Sequence, residues 1–190
     1  MKRMIFHMPL PLNPQAKSAS GIRPVKMLEA FKSLGYEVFE ITGYSAERKI
    51  KIAGLKNLIN SGYIFDFVYS ESSTMPTALT DQNHLPLNPC LDFHFFKLCK
   101  SHNIPIGLFY RDIYWKFPDY GKNLNLFKKI MAKAFYRFDL YNYEKYLEKI
   151  YLPSKTMAKY LSEISINKID ELPPACDLQN FDIAFHMIKK

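Results

Sequence analysis

The sequence predicts a doubly wound α/β fold, a Rossmann-like parallel sheet in a three-layer α/β/α arrangement. Three observations predict it. Six short apolar runs, most rich in β-branched or aromatic residues, recur along the 190 residues. Stretches of helical period, each of about a dozen residues, separate most of them. Gly or Pro closes most of these segments. Strands separated by helices of that length pair in parallel through right-handed crossovers.

The first run, RMIFHM, is stopped by Pro9 and Pro11. A polar loop leads into IRPVKMLEAFKSLG, with Ile22, Val25, Leu28 and Phe31 at helical spacing and Gly35 as the stop. YEVFEIT (36–42) alternates and reads as the second strand. SAERKIKIAGLKNLINSG (45–62) has a Ser start, a helical period and a Gly stop. FDFVYS (65–70) is the third strand, followed by a long loop, ESSTMPTALTDQNHLPLNP (71–89). CLDFHFFKLCKSHN (90–103) reads as a helix and IPIGLFY (104–110) as the fourth strand. A long helix is expected over 123–147, a fifth strand at KIYLPS, a helix over 154–164 and a sixth strand at KIDELPPACD. One domain is expected over 1–176. Residues 177–190 read as a hinge or the start of a further domain, with Phe181, Ile183, Phe185 and Met187 alternating as a half-buried strand would.

The formal charge of +8 favours an acidic partner such as a phosphorylated ligand or an anionic bilayer face. Nucleic acid is disfavoured, because no recognition motif accompanies the charge. Cys90, Cys99 and Cys176 make no C-x-x-C pair, which fits a reducing compartment. The opening MKRMIFHMPLPLNP is too short and proline-broken for a signal peptide, and no run reaches a membrane span. The expected location is cytoplasmic, with peripheral attachment to the inner membrane face as the alternative.

Ligands of open α/β sheets collect beyond the carboxyl ends of the strands, so three loops matter. The first (9–24) brings Ser18, Ser20, Gly21 and Arg23 to a helix start, where free amides and a guanidinium suit a phosphate; a plain helix cap is the competing reading. It has neither G-x-G-x-x-G nor G-K-[ST], which disfavours a dinucleotide site or P-loop. The third-strand loop offers Glu71, Ser72 and Ser73 to a polyhydroxylated ligand, or to its own backbone. The fourth-strand loop, YRDIYWKFPDY, combines Arg111 and Asp112 with Tyr114, Trp115 and Phe117. It reads as a clamp and aromatic platform, or as a local ion pair packed beneath the next helix. His7 ends the first strand, either as a ligand contact or as a core histidine. His94 and His102 are too far apart on their helix to share an ion. No hydrolase motif and no Cys/His metal spacing is present, so neither a metal nor a cofactor is expected. On the long helix Lys129, Lys133 and Arg137 share one face beside an apolar stripe of Leu124, Phe127, Met131, Ala134, Phe138 and Tyr141. That pairing suits either an anionic membrane or a solvated face over a core stripe.

Taken together, MIFHMPLPLNPQAKSASGIRPVKMLEAFKSLGYEVFEITG, IPIGLFYRDIYWKFPDY, KIYLPSKTMAKYL and ELPPACD resemble the N-terminal half of a GT-B glycosyltransferase. The likeness is greatest to the retaining family four of bacterial polysaccharide synthesis. The resemblance implies the acceptor-side domain of a two-domain enzyme that moves a sugar from a nucleotide-sugar to a glycan or lipid-linked acceptor. It implies a donor-phosphate contact at Gly21, assisted by Arg23. It places Arg111 and Asp112 as the catalytic pair, with Arg111 where the family carries histidine. His7, Glu71, Ser72, Tyr114 and Trp115 then fall to acceptor or sugar contact, and Lys129, Lys133 and Arg137 to the membrane face. The family's donor-binding E-x7-E is absent, so a second chain or a missing C-terminal domain is expected to complete the site. The alternative is a non-catalytic module that docks on membranes or recruits a donor-binding partner.

Overall fold

A computed structural model describes residues 2–173. The expected hinge over 177–190, and the strand expected there, lie outside the described residues. Six strands, β1 (Arg3–Met8), β2 (Glu37–Thr42), β3 (Phe67–Glu71), β4 (Ile106–Phe109), β5 (Lys149–Leu152) and β6 (Ile169–Glu171), form one sheet. All its pairings are parallel. Four α-helices flank it: α1 (Ala19–Ser33), α2 (Ser45–Asn60), α3 (Leu91–Ser101) and α4 (Leu126–Tyr146). The expected three-layer α/β fold is therefore present. The expected helix over 154–164 is reduced to a short 3-10 segment, Lys155–Tyr160.

The strand order is β2-β1-β3-β4-β5-β6. A two-fold repeat of the Rossmann half would give 3-2-1-4-5-6. Here β3 returns past β1 and pairs on its far side. The winding reverses between β1 and β3, and the loops that leave these two strands diverge to open a crevice.

Strand alternation builds two cores. Met4, Phe6 and Met8 face α1, where they join Leu28, Tyr69 and Phe109. Ile5, Ile41, Val68, Leu108 and Ile150 face the other way, against Leu55 and Ile59 of α2, Phe95 and Phe96 of α3, and Leu140 of α4. Three helices end alike. After α1, Gly35 takes φ +82°, its amide bonds the Lys32 carbonyl and the Tyr36 amide bonds the Phe31 carbonyl. After α2, Gly62 and Tyr63 repeat the pattern, and after α3 Asn103 and Ile104 do so. The left-handed residue satisfies the last carbonyls, which is why Gly marks the first two of these stops and Asn the third.

The long loop after β3 is tied down at several points. Asp81 accepts from the Ser45 amide at 2.7 Å and the Ser45 hydroxyl at 2.6 Å, capping α2 from outside. The Tyr136 hydroxyl donates to the Thr74 carbonyl at 2.6 Å. The Thr77 amide donates to Asp139 Oδ2 at 2.8 Å, while Asp139 Oδ1 is buried without a partner. Burial pushes the Asp139 carboxyl up to about 8, against the pull of its Thr77 hydrogen bonds. The folded protein therefore holds this proton where the unfolded chain, titrating near 3.9, has released it. The stability it contributes is full below about pH 4 and is lost as pH rises through about 8. Asp139→Asn is expected to remove that slope. Thermal melts from pH 5 to 9 should show the variant gaining on the wild type by up to about 1.4 kcal/mol per pH unit. Parallel melting curves would contradict the assignment.

Candidate functional site

At the β1/β3 crevice a cavity of about 230 Å³ is lined by Met8 at the end of β1, Leu10 and Asn13 of the first loop, Ser18, Ser20 and Gly21 at the start of α1, Ser73 and Thr74 after β3, and Arg111 after β4. Ser18 caps no amide of α1 with its side chain; its hydroxyl meets that of Ser20 at 3.0 Å. The N-terminus of α1 thus opens toward the cavity without a side-chain cap. Gly21 is required by packing: a Cβ there would stand 2.5 Å from the Cβ of Ala16, in the loop that walls the cavity.

Arg111 is placed by three elements. Its amide donates to the Ser72 hydroxyl at 3.0 Å and its Nε to the Ser72 carbonyl at 3.3 Å. Its Nη2 donates to Glu71 Oε2 at 3.3 Å. Its Nη1 donates to the Ser20 carbonyl at 2.6 Å. That last contact has a cause in the sequence. Pro24, inside α1, has no N–H to give the carbonyl four residues earlier. The guanidinium of Arg111 takes the acceptor that the helix leaves unused.

Behind Arg111, Glu71 is wholly buried at the end of β3. Its Oε1 accepts from the Tyr69 hydroxyl at 2.7 Å and from Arg23 Nε at 3.2 Å. The guanidinium of Arg23 lies 3.6 Å from the centre of the Phe109 ring. Burial raises the Glu71 carboxyl above the ordinary range, while the Tyr69 hydroxyl and the two guanidinium groups pull it back. Burial likewise lowers Arg111, opposed by Glu71 and Asp112. Two cations bracket one carboxyl, and one of them, Arg111, lines the cavity.

Of the expected site residues, Gly21 and Arg111 line the cavity together. Arg23, Glu71 and Ser72 stand behind it as supports. Asp112 faces its own turn, where it accepts from the Tyr114 amide at 3.1 Å; burial raises its carboxyl against that bond and the Arg111 charge. Tyr114 is exposed and donates to the Asp119 carbonyl at 3.2 Å. Trp115 is core: it stacks on Tyr136 at 4.9 Å, and its indole N–H donates to the Tyr110 hydroxyl at 2.9 Å. The ring seats α4 and makes no ligand platform.

His7 is also core. It shares the face of Ile5 and packs against Phe95 and Phe96. Its Nδ1 lies 2.7 Å from the Ser70 hydroxyl and its Nε2 2.9 Å from Asp92 Oδ1. Asp92 in turn receives Arg48 Nε and Nη2, each at 2.8 Å. A Ser-His-Asp chain of this kind is the relay of many hydrolases. Here Ser70 is 0% exposed, and His7 and Asp92 are each 2% exposed, so no substrate reaches the serine. Burial lowers His7 despite Asp92. Burial alone would raise Asp92, but its bonds from His7 and the Arg48 charge hold it at about 2. The network is a buried polar tie between the sheet, α2 and α3. Its signal in the sequence was the position of Asp92, which falls on the stripe of Phe96 and Cys99.

No family model matches the chain. No curated protein matches it. A solved structure described as a GDSL-like lipase from Bacteroides thetaiotaomicron is similar at 17% identity and a TM-score of 0.44, covering 99% of this chain and 86% of that one. The expectation of the family-four half of a GT-B glycosyltransferase is corrected by these findings: this similar structure is described as a GDSL-like lipase, and no family model and no curated protein ties the chain to a transferase. The comparisons do not support the alternative, a docking or recruiting module, either. At that TM-score the likeness brings no activity to this chain.

Asp92→Ala is expected to leave the Arg48 guanidinium buried and unpaired, at a cost of about 3–5 kcal/mol in urea unfolding. Adding Arg48→Met should recover part of the loss. A single-variant cost below about 1 kcal/mol would show that the network carries little strain when broken.

Proposed function

We propose that the cavity at the β1/β3 crevice binds a small anionic ligand of phosphate or carboxylate type. The observation that carries this reading is that, among the described residues, Arg111 is the one charged side chain lining the cavity. The uncapped start of α1 supports it, because helix N-termini carry partial positive charge and free amides. So does the position, beyond the carboxyl ends of the strands at the switch point. The guanidinium is held at its inner edge by the Ser20 carbonyl and Glu71, so its orientation is set before a ligand arrives. Met8, Leu10, Pro11 and Leu12 give the cavity an apolar wall, which leaves room for a small carbon skeleton behind the anionic group.

Calorimetric titration with orthophosphate, pyrophosphate and citrate tests the reading. Arg111→Gln is expected to weaken binding of the best of these by about 2 kcal/mol, roughly thirtyfold. Arg111→Lys, which keeps the charge without the fork, should fall between the two. Equal affinity in all three proteins, each checked for its melting point, would overturn the assignment. So would an absence of binding by the wild type.

A further inference from the structure

The long helix α4 faces the core with Ala132, Tyr136, Leu140 and Tyr143. Its outward face is not polar. Leu126, Phe127, Ile130 and Tyr141 are 72%, 75%, 60% and 64% exposed, and Ala134 is exposed between them. Phe127, Ile130, Ala134, Arg137 and Tyr141 recur every three or four residues, so they form one stripe along the helix. Of the stripe that the sequence leaves between a membrane face and a core face, Leu124, Phe127, Ala134 and Tyr141 point to solvent, while Met131 and Phe138 are half-buried. Basic residues accompany it. Lys128 and Arg137 are exposed, Lys129 and Lys133 are half-buried on its flank, and no acidic residue occurs from Lys122 to Phe138. Among the described ion pairs, none involves Lys128, Lys129, Lys133 or Arg137. Lys122 is paired with Asp119.

We propose that this outward stripe of α4 docks on an anionic lipid bilayer surface, with Leu126, Phe127 and Ile130 entering the interface and the basic residues meeting the headgroups. An apolar face edged by Lys and Arg is the pattern of helices that lie in the membrane interface. Long basic side chains on the stripe, Arg137 above all, bend toward the headgroups while their stems stay among apolar neighbours. Charge selects this occupant over a second copy of the chain. An α4–α4 pair would set two acid-free stretches, each carrying Lys128, Lys129, Lys133 and Arg137, against one another. An anionic bilayer attracts the same residues, at about 1 kcal/mol for each near the surface. Among the described residues no helix is long and apolar enough to cross a membrane, so the contact lies along the surface.

Co-sedimentation of the full chain with vesicles tests the proposal. Pure phosphatidylcholine vesicles should bind weakly, and vesicles with about one-third phosphatidylglycerol strongly, with binding falling as salt rises. The double variant Phe127→Ser, Ile130→Ser should lose at least about tenfold in binding to the anionic vesicles. Both side chains are exposed, so its circular dichroism melt should match the wild type. Lys128→Glu with Arg137→Glu should abolish the preference for anionic lipid. The proposal is overturned if the wild type ignores anionic vesicles or if the serine variant binds them as well as the wild type. It is equally overturned if ultracentrifugation shows a dimer that the serine variant dissolves.

Discussion

The architecture of the cleft depends on one buried carboxyl. Glu71 ends β3 with no exposed surface, and a lone carboxylate there would be costly. Arg23 reaches it from α1 and Arg111 from the loop after β4. Removing either partner leaves charge less well compensated, so the three side chains bind as a unit. Because each comes from a different element, the unit fixes the start of α1 against the ends of two strands. The crevice is where it is because β3 crosses to the far side of β1, and its shape is set by what Glu71 gathers.

Pro24 gives that arrangement its direction. A helix with an amide at this position would use the Ser20 carbonyl internally. Without it, the carbonyl stays open toward Arg111, and the guanidinium spans from the helix start to the end of β3. A backbone vacancy in α1 therefore orients a side chain on another loop. The Asp92–Arg48–His7–Ser70 chain does comparable work on the opposite face of the sheet, but it is closed to solvent and holds layers together.

Much of the fold was legible. The strands and their helices follow from period, and the Gly stops at 35 and 62 follow from the left-handed backbone that they adopt. Strand order was not legible, because period reports which residues share a face and not which strands pair. The 154–164 helix was overcounted: Ser154 starts it, but six residues of 3-10 turn are all that form. In the site, Gly21 and Arg111 were legible from their loops. For His7 the sequence leaves ligand contact and core histidine open, because both faces of β1 are buried and strand parity does not separate them. For Trp115 it leaves platform and packing open, because an aromatic cluster after a strand serves a core as readily as a ligand. The α4 stripe was seen, but its direction depends on where the helix lies on the sheet, and no pattern within the helix gives that.

The most direct test of the account is nuclear magnetic resonance of the folded chain during titration with orthophosphate. The Arg111 side-chain Nε–H and the backbone amides of Ala19 and Ser20 are expected to shift together along one binding curve. Shifts confined to the lysines of α4, with these three signals unmoved, would contradict it.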